Sequence, residues 1–281
     1  MGFRQAVQEV RLLYVAEIVG KAGIYCFKKA AANLRKTKKI DFVIAGCDGA
    51  TGGNGLGYNH AMYLHKLGAD VLTMGDCCFY KKDLTANFNK TLFVLRPANL
   101  QRDAPGLGYR YYTVGSQKIA VAVLLGQFGF SRIHAENPLA FLDDFLERLR
   151  AETPVVALDI HAVTSAEKQI LFAAVSGRVS AAIGSHTRVQ TADERLLPGG
   201  TAVITDAGRS GSFYSAGGVE TESRIKEYIS GIPGWTKEAW EGCELQGVLV
   251  DIDGSGKALS VERLRVPLQT PETSAQLNAK R

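Results

Sequence analysis

Residues Ser185–Gly208 read SHTRVQTADERLLPGGTAVITDAG. The stretch follows the short apolar run Val179–Ile183 and closes on another, Thr201–Thr205. Runs of this length, apolar and rich in β-branched residues, read as strands. His186 stands just past the end of the first of them, and Arg188 two residues further on. If the backbone is extended there, residues two apart share a face, and the imidazole and the guanidinium point the same way. In open α/β sheets the carboxyl ends of the strands line the ligand crevice, and these two residues are placed to reach it.

The same arrangement recurs along the chain. Arg11–Ala16, Phe42–Ala45, Val71–Met74, Thr91–Leu95, Lys118–Leu124 and Pro154–Leu158 are further short apolar runs separated by helix-like segments. That alternation marks layered α/β architecture. The clearest helix is Pro138–Arg150, where Leu142, Phe145, Leu146 and Leu149 fall at i, i+3, i+4 and i+7. Asn137 is placed to cap it and Pro138 to occupy its first turn. Leu245–Ile252 and Leu259–Val266 read as a closing pair of strands around the turn Asp253–Gly256. No repeat or low-complexity linker divides the chain. The organisation expected is an N-terminal extension over 1–10, one domain over 11–266 and a polar tail over 267–281.

Composition narrows the function classes. At 281 residues and 46% apolar, the chain can bury a substantial core. No stretch approaches the ~18 uninterrupted apolar residues of a membrane span. Met1–Val10 carries Arg4, Gln5, Gln8 and Glu9 and lacks the apolar middle of a secretory signal, so a cytoplasmic location is expected. The formal charge of +5 has its clearest local source in Lys28, Lys29, Arg35, Lys36, Lys38 and Lys39. No aromatic residues interleave with that run, so it reads as a solvated helix face and nucleic-acid binding is not indicated. Cys26, Cys47, Cys77, Cys78 and Cys243 are odd in number and show no C-x-x-C spacing. That pattern argues for free thiols, against a disulfide framework or structural zinc finger.

The polar residues that carry chemistry sit at strand ends. Glu17 follows the first strand, Asp48 the second and Asp76 the third; His161 follows the Pro154 strand and His186 the Val179 strand. Singly, each is an ordinary cap or turn residue. Five in register can converge on one crevice. Asp48 lies in Ala45–Gly53 (AGCDGATGG), whose small residues let the backbone crowd an ion. This loop matches neither the P-loop nor the dinucleotide fingerprint. Asp76 follows Gly75 and precedes Cys77 and Cys78, thiols that are either small buried hydrophobes or, beside a metal, ligands. Asp159 and His161 alternate on one strand, which makes Asp159 a candidate acceptor for the second ring nitrogen of the histidine. His60, His65 and His134 have no partner pattern. The oxygen and imidazole donors suit zinc, manganese or iron, and paired metals of that kind activate water on phosphoryl groups.

From Arg11 to Arg265 the chain resembles the YmdB-type bacterial metallophosphoesterases of the calcineurin-like superfamily. The stretch Ser185–Gly208 is close to the family's GTHTHVQTADERILPGGTAYITDVG, and EIVGKAG, IDFVIAG, LRPAN (Leu95–Asn99) and DIHAVTSAEKQ match in order. The resemblance implies a four-layer α/β/β/α sandwich, a dinuclear site for cyclic-nucleotide or other phosphodiester hydrolysis and, often, a homo-oligomer. The ligand positions have drifted. The family's first Asp is Glu17 here, its Glu-Asn pair is Asp48-Gly49, its GNH is Gly75-Asp76-Cys77, and the second histidine of its H-T-H is Arg188. One ion's ligand positions therefore read Asp48, Asp76, His161 and His186, all able to coordinate. The other ion's read Glu17, Asp48, Arg188 and Gly49, and arginine holds its proton and cannot bind a cation.

The expectation is one divalent metal (Mn, Fe or Zn) per chain at Asp48, Asp76, His161 and His186, with Glu17 a remnant of the second site. Arg188 takes the second ion's place, either pairing with Glu17 or gripping a substrate phosphate. Cys77 stands where the family keeps a proton-donating histidine, and is alternatively a further zinc ligand. The activity implied is a weak or altered phosphodiesterase acting on a phosphodiester or nucleotide small molecule. The alternative is an inactive nucleotide sensor or protein-binding scaffold.

Overall fold

A computed structural model describes residues 9–271. The chain lays down β1 (Val10–Val15), β2 (Glu17–Ile18), β3 (Phe42–Gly46), β4 (Val71–Thr73) and β5 (Val94–Leu95) in a first sheet. It then builds a second sheet from β6 (Tyr109–Val114), β7 (Gln117–Leu125), β8 (Val156–His161), β9 (Ala181–Ser185), β10 (Arg195–Leu197) and β11 (Thr201–Ile204). Finally β12 (Arg209–Ser212), β13 (Cys243–Ile252) and β14 (Ala258–Pro267) return to the first sheet. In space the sheets run β2-β12-β13-β1-β3-β4-β5, with β14 paired to β13, and β10-β11-β9-β8-β7-β6. Their centres are parallel: β1, β3, β4 and β5 in one, β7, β8, β9 and β11 in the other.

Period-two patterning explains the layering. In β7, Ile119, Val121 and Val123 join Leu12, Tyr14, Ile44, Ile183 and Val250 in a core between the sheets. The intervening Ala120, Ala122 and Leu124 face outward onto α4 (Pro138–Glu152) and α5 (Ser165–Val175) through Phe145, Leu149 and Phe172. Likewise Leu13 and Val15 of β1 face α1 (Gly20–Thr37) and α2 (Tyr58–Lys66), meeting Phe27, Leu34 and Leu64; the short α3 (Lys82–Thr85) follows β4. Strands apolar on both faces must be covered on both, which yields helix, sheet, sheet, helix. A one-residue slip in any of these strands would exchange two cores. Each fully buried Phe contributes about 1.5–3 kcal/mol.

Local signals behave as expected where they are strong. Asn137 caps α4 by accepting from the amides of Leu139 and Ala140, with Pro138 in the first turn. Asp253 organises the β13–β14 turn, its carboxylate accepting from the amides of Ser255 and Lys257. The strand expected at Thr91–Leu95 shrinks to Val94–Leu95, because Thr91 closes a turn of 3₁₀ helix with its amide on the Phe88 carbonyl at 3.2 Å. Positions 1–8 of the expected extension and 272–281 of the expected tail lie outside the described residues; Val10 already pairs with Ile252. Among the described residues no helix is long and apolar enough to cross a membrane.

The topology positions the site. The carboxyl ends of β1, β3 and β4 meet those of β8 and β9 at one rim of the sandwich. Glu17, Asp48, Asp76, His161 and His186 all stand at that rim.

Candidate active site

Asp48 is held by the backbone of the neighbouring loop. One carboxylate oxygen accepts from the Gly75 amide at 2.7 Å and from the Cys77 amide at 3.1 Å, and the other also accepts from Cys77. The Asp76 carboxylate lies 2.9 Å from His161 Nε2 and 3.4 Å from His186 Nδ1. The two imidazoles approach to 3.1 Å, and His161 Nε2 is 3.7 Å from Asp48 Oδ2. Donor atoms of Asp76, His161 and His186, and separately of Asp48, Asp76 and Cys77, lie mutually within 4.8 Å. Gly75 is required here: a Cβ at that position would sit 2.1 Å from His161 Nε2.

The far side of His161 is wired into the inter-sheet core. His161 Nδ1 meets Ser185 Oγ at 3.0 Å, Ser185 donates to Asp159 at 2.7 Å, and Tyr14 donates to the other Asp159 oxygen at 2.7 Å. The acceptor expected of Asp159 is therefore indirect, with Ser185 between it and the histidine. The reason is local: Asp159 and His161 share a face of β8, and Ser185 stands opposite His161 on β9. Because the single Ser185 proton goes to Asp159, His161 Nδ1 must donate, and its Nε2 is the atom presented to the cluster.

Electrostatics in the cluster run strongly negative. Glu17, Asp48 and Asp76 are three carboxylates facing one permanent cation, Arg188. Burial, reinforced by the Asp76 and Glu17 charges, pushes Asp48 up to about 7. Burial works against a charge on His161, yet its hydrogen bond to Asp76 and the carboxylates around it raise it to about 9. Asp76 is likewise opposed by burial but held well below the usual carboxylate range by bonds to both histidines. This environment attracts positive charge, as a proton or as a metal ion.

The other half of the rim is built differently. Arg188 Nε and Nη2 lie 2.9 and 2.7 Å from one Glu17 oxygen, itself only 3% exposed. Its Nη1 donates to the Gly217 carbonyl at 3.1 Å and its Nη2 to that of Gly53 at 2.8 Å. This is the Glu17 pairing that was one of the two roles expected of Arg188. A Cβ at Gly49 would lie 2.7 Å from both Arg188 Nη2 and Glu17 Oε1. The missing side chain at 49 and the guanidinium at 188 are thus one feature, since the second needs the space left by the first.

Both residues of the loop after β9 adopt left-handed backbone, His186 at φ 93° and Arg188 at φ 60°. Such residues cost on the order of 1–3 kcal/mol unless their surroundings hold them. Here the Thr187 amide between them donates to Asp206 at 2.9 Å, and Asp206 is paired at 2.8 Å with the fully buried Lys168. Arg209 adds a bond to the Arg188 carbonyl at 2.8 Å. The Phe130 ring packs against both imidazoles, 6.0 Å from His161 and 5.2 Å from His186 between centroids. Ser185, Tyr14, Lys168, Asp206 and Phe130 were not singled out from sequence. Ser185 and Asp206 lie in the Ser185–Gly208 stretch and Lys168 in DIHAVTSAEKQ, but no local pattern marks them.

Cys77 is buried with its thiol 3.5 Å from Asp76, and burial together with the Asp48 and Asp76 charges raises its pKa strongly. It stays a thiol. The LRPAN segment lies off the cluster: Asn99 bonds both backbone groups of Leu125 and the Glu136 carbonyl. His60 bonds Thr51 and His65 stacks on Phe93; neither joins the cluster.

A family model described as "YmdB-like protein" matches residues 13–264. A 2',3'-cyclic-nucleotide 2'-phosphodiesterase of Bacillus subtilis is 33% identical over 92% of this chain and 97% of its own length. A putative phosphatase/phosphodiesterase of Mycoplasma pneumoniae is 30% identical over 94% and 96% respectively. The crystal structure of a novel phosphatase from Mycoplasma pneumoniae superposes with a TM-score of 0.87 at 29% identity, covering 94% of this chain and 96% of that one. With a family model spanning nearly all of both sheets and relatives aligned almost end to end, this chain belongs to the YmdB-like protein family.

Proposed function

We propose that the chain is a metal-dependent phosphodiesterase that works with one divalent ion per chain and a built-in guanidinium. The observation that carries this reading is the seating of the half-buried Arg188 on the buried Glu17 in space opened by Gly49. Asp48, Asp76, His161 and His186 are the residues that would hold manganese, iron or zinc. Such an ion lowers the pKa of bound water and polarises phosphoryl oxygens. The residues around it have separate tasks. The Gly75 and Cys77 amides hold Asp48, the Ser185–Asp159–Tyr14 chain orients His161, and Arg188 holds a positive charge beside the phosphoryl oxygens of a cyclic nucleotide or other phosphodiester. The fit for a second ion is poor. Arg188 has no lone pair, and Gly49 has no side chain.

The buried Cys77 thiol favours reduced or altered turnover, because a thiol this reluctant to ionise is a weak general acid. A second reading follows from that observation: a catalytically silent member that senses a nucleotide or serves as a scaffold. Residues 11–266 act in either case as one metallophosphoesterase-like unit in the cytoplasm. Self-association into a homo-oligomer is supported by α6 (Thr221–Ser230) and the segment after it, which expose Tyr228, Ile229, Ile232 and Trp235; sedimentation velocity reads it directly.

One preparation decides among these. Metal content is measured alongside hydrolysis of bis-p-nitrophenyl phosphate and 2',3'-cyclic nucleotides. About one tightly held ion, with turnover lost in His161→Ala, supports the enzyme. Two ions per chain overturn the guanidinium substitution. Ligand-dependent melting without turnover establishes the sensor.

A further inference from the structure

A cavity of about 530 Å³ opens where the segment after β5, the start of β6 and α4 meet, and none of the cluster residues line it. Its wall carries three guanidinium groups, Arg96, Arg102 and Arg148, and one carboxylate, Glu136. Three positive charges less one negative leave a surplus of two.

Arg96 is the unusual member. It is only 6% exposed, and its guanidinium donates to the carbonyls of Pro97, Ala104 and Pro105 at 2.7, 3.1 and 3.2 Å. Among the described residues it has no carboxylate within ion-pair distance. Burial lowers its pKa and no carboxylate offsets that. Arginine nevertheless keeps its proton, so the buried charge is screened only by carbonyl dipoles, whereas buried charges ordinarily find a counter-ion. Arg102 and Arg148 stand exposed at the mouth, and among the described residues neither forms an ion pair. The remaining wall includes Tyr109 and Phe141, half-buried rings set against Phe145 at 5.5 and 4.7 Å. The tight floor depends on Gly108, where a Cβ would lie 2.4 Å from Ala98 Cα.

We infer that this cavity binds a nucleoside phosphate, with the phosphate on Arg102 and Arg148 in the field of Arg96 and the base against Tyr109 and Phe141. Planar guanidinium groups match phosphate oxygens bidentately, and flat aromatic walls stack on a base without regard to its identity. Glu136 offers an acceptor for a ribose hydroxyl. The volume falls in the range of roughly 300–1,000 Å³ typical of small-molecule sites. The inference is independent of the phosphodiesterase reading, since the two sites share no residue.

The test is calorimetric titration of the full chain with adenosine 5'-monophosphate, adenosine and inorganic phosphate, in chelator so that metal-bound phosphate does not contribute. The monophosphate is expected to bind most tightly of the three. The pair Arg102→Ala/Arg148→Ala should weaken it at least 10-fold with an unchanged melting temperature. His186→Ala in the rim cluster should change it less than 2-fold. Equal binding by Arg102→Ala/Arg148→Ala and the parent chain overturns the site, as does the absence of saturable binding. Inorganic phosphate binding as tightly as the nucleotide overturns the nucleoside assignment.

Discussion

Within a few ångströms the rim of the sandwich holds two solutions to one electrostatic problem. Around His161, carboxylates and imidazoles point lone pairs at a common centre, and Asp76 lies 2.9 Å from His161 and 3.4 Å from His186. Around Glu17, the same surplus of negative charge is met by Arg188, whose guanidinium is held by two backbone carbonyls besides the carboxylate. The first half can exchange a proton for an ion. The second cannot, because its positive charge is covalently attached and its position is set by the packing over Gly49. A metal ion is a ligand with a concentration dependence; an arginine seated on a buried carboxylate is part of the fold. The comparison teaches that one rim can meet its negative charge with exchangeable donors at one end and with a fixed guanidinium at the other.

The sharpest break of that comparison is His161→Ala, which removes a donor from the exchangeable half only. Metal affinity is expected to fall by more than about 100-fold, beyond the loss usual for residues that merely support a ligand, while Arg188 and Glu17 remain paired. Elemental analysis after dialysis reads the effect. Lys168→Met strikes both halves together, because Asp206 would be left buried without its cation and Thr187, between His186 and Arg188, would lose a secured anchor. A destabilisation of about 3–5 kcal/mol is expected in denaturant unfolding. Retention of parental stability would mean that the pair does not hold the loop.

Gly49→Ala probes the fixed half alone. In the parent chain the new methyl meets Arg188 and Glu17, and in an Arg188→Ala background much of that conflict is gone. A double-mutant cycle is expected to yield a coupling of about 1–2 kcal/mol; additivity would show that the two positions are independent. The smallest effect is expected at Asp193, which sits in the same Ser185–Gly208 stretch but serves neither half. Burial opposes its ionisation, but bonds from Thr191, Thr205 and Arg195 hold it at about 2, below its ordinary 3.8. A depressed carboxylate stabilises the fold above its unfolded pKa and loses that contribution as pH falls through its folded one. Asp193→Asn should therefore flatten the stability curve only between about pH 4 and about pH 2, leaving metal binding at neutral pH unchanged.

How far the chain could be read without coordinates varied with the range of the interaction. Helix α4 was legible to within two residues because its apolar spacing, its Asn137 cap and Pro138 are all local. The strands that feed the rim were legible for the same reason. The short β2 and β12 were not, since Glu17 and Arg209 pair across most of the chain and neither run is apolar enough to announce itself. Asp159, the candidate partner of His161, reaches it only through Ser185, because strand alternation predicts a shared face but not the Ser185 hydroxyl arriving from β9. The Lys168–Asp206 pair has no local signal, because its two members lie 38 residues apart and meet only in the fold.

What residue chemistry alone dictates here is the inventory of donors: Asp48, Asp76, His161 and His186 can ligate a cation, and Arg188 never can, wherever it lies. That conclusion needs no coordinates, because it rests on lone pairs and pKa values intrinsic to the side chains. Where the guanidinium goes is another matter. Only the folding together of β2, the Asp48 loop and the turn after β9 puts it on Glu17, in a space that exists because residue 49 has no side chain, and packing between segments so distant in the chain is written in no local pattern.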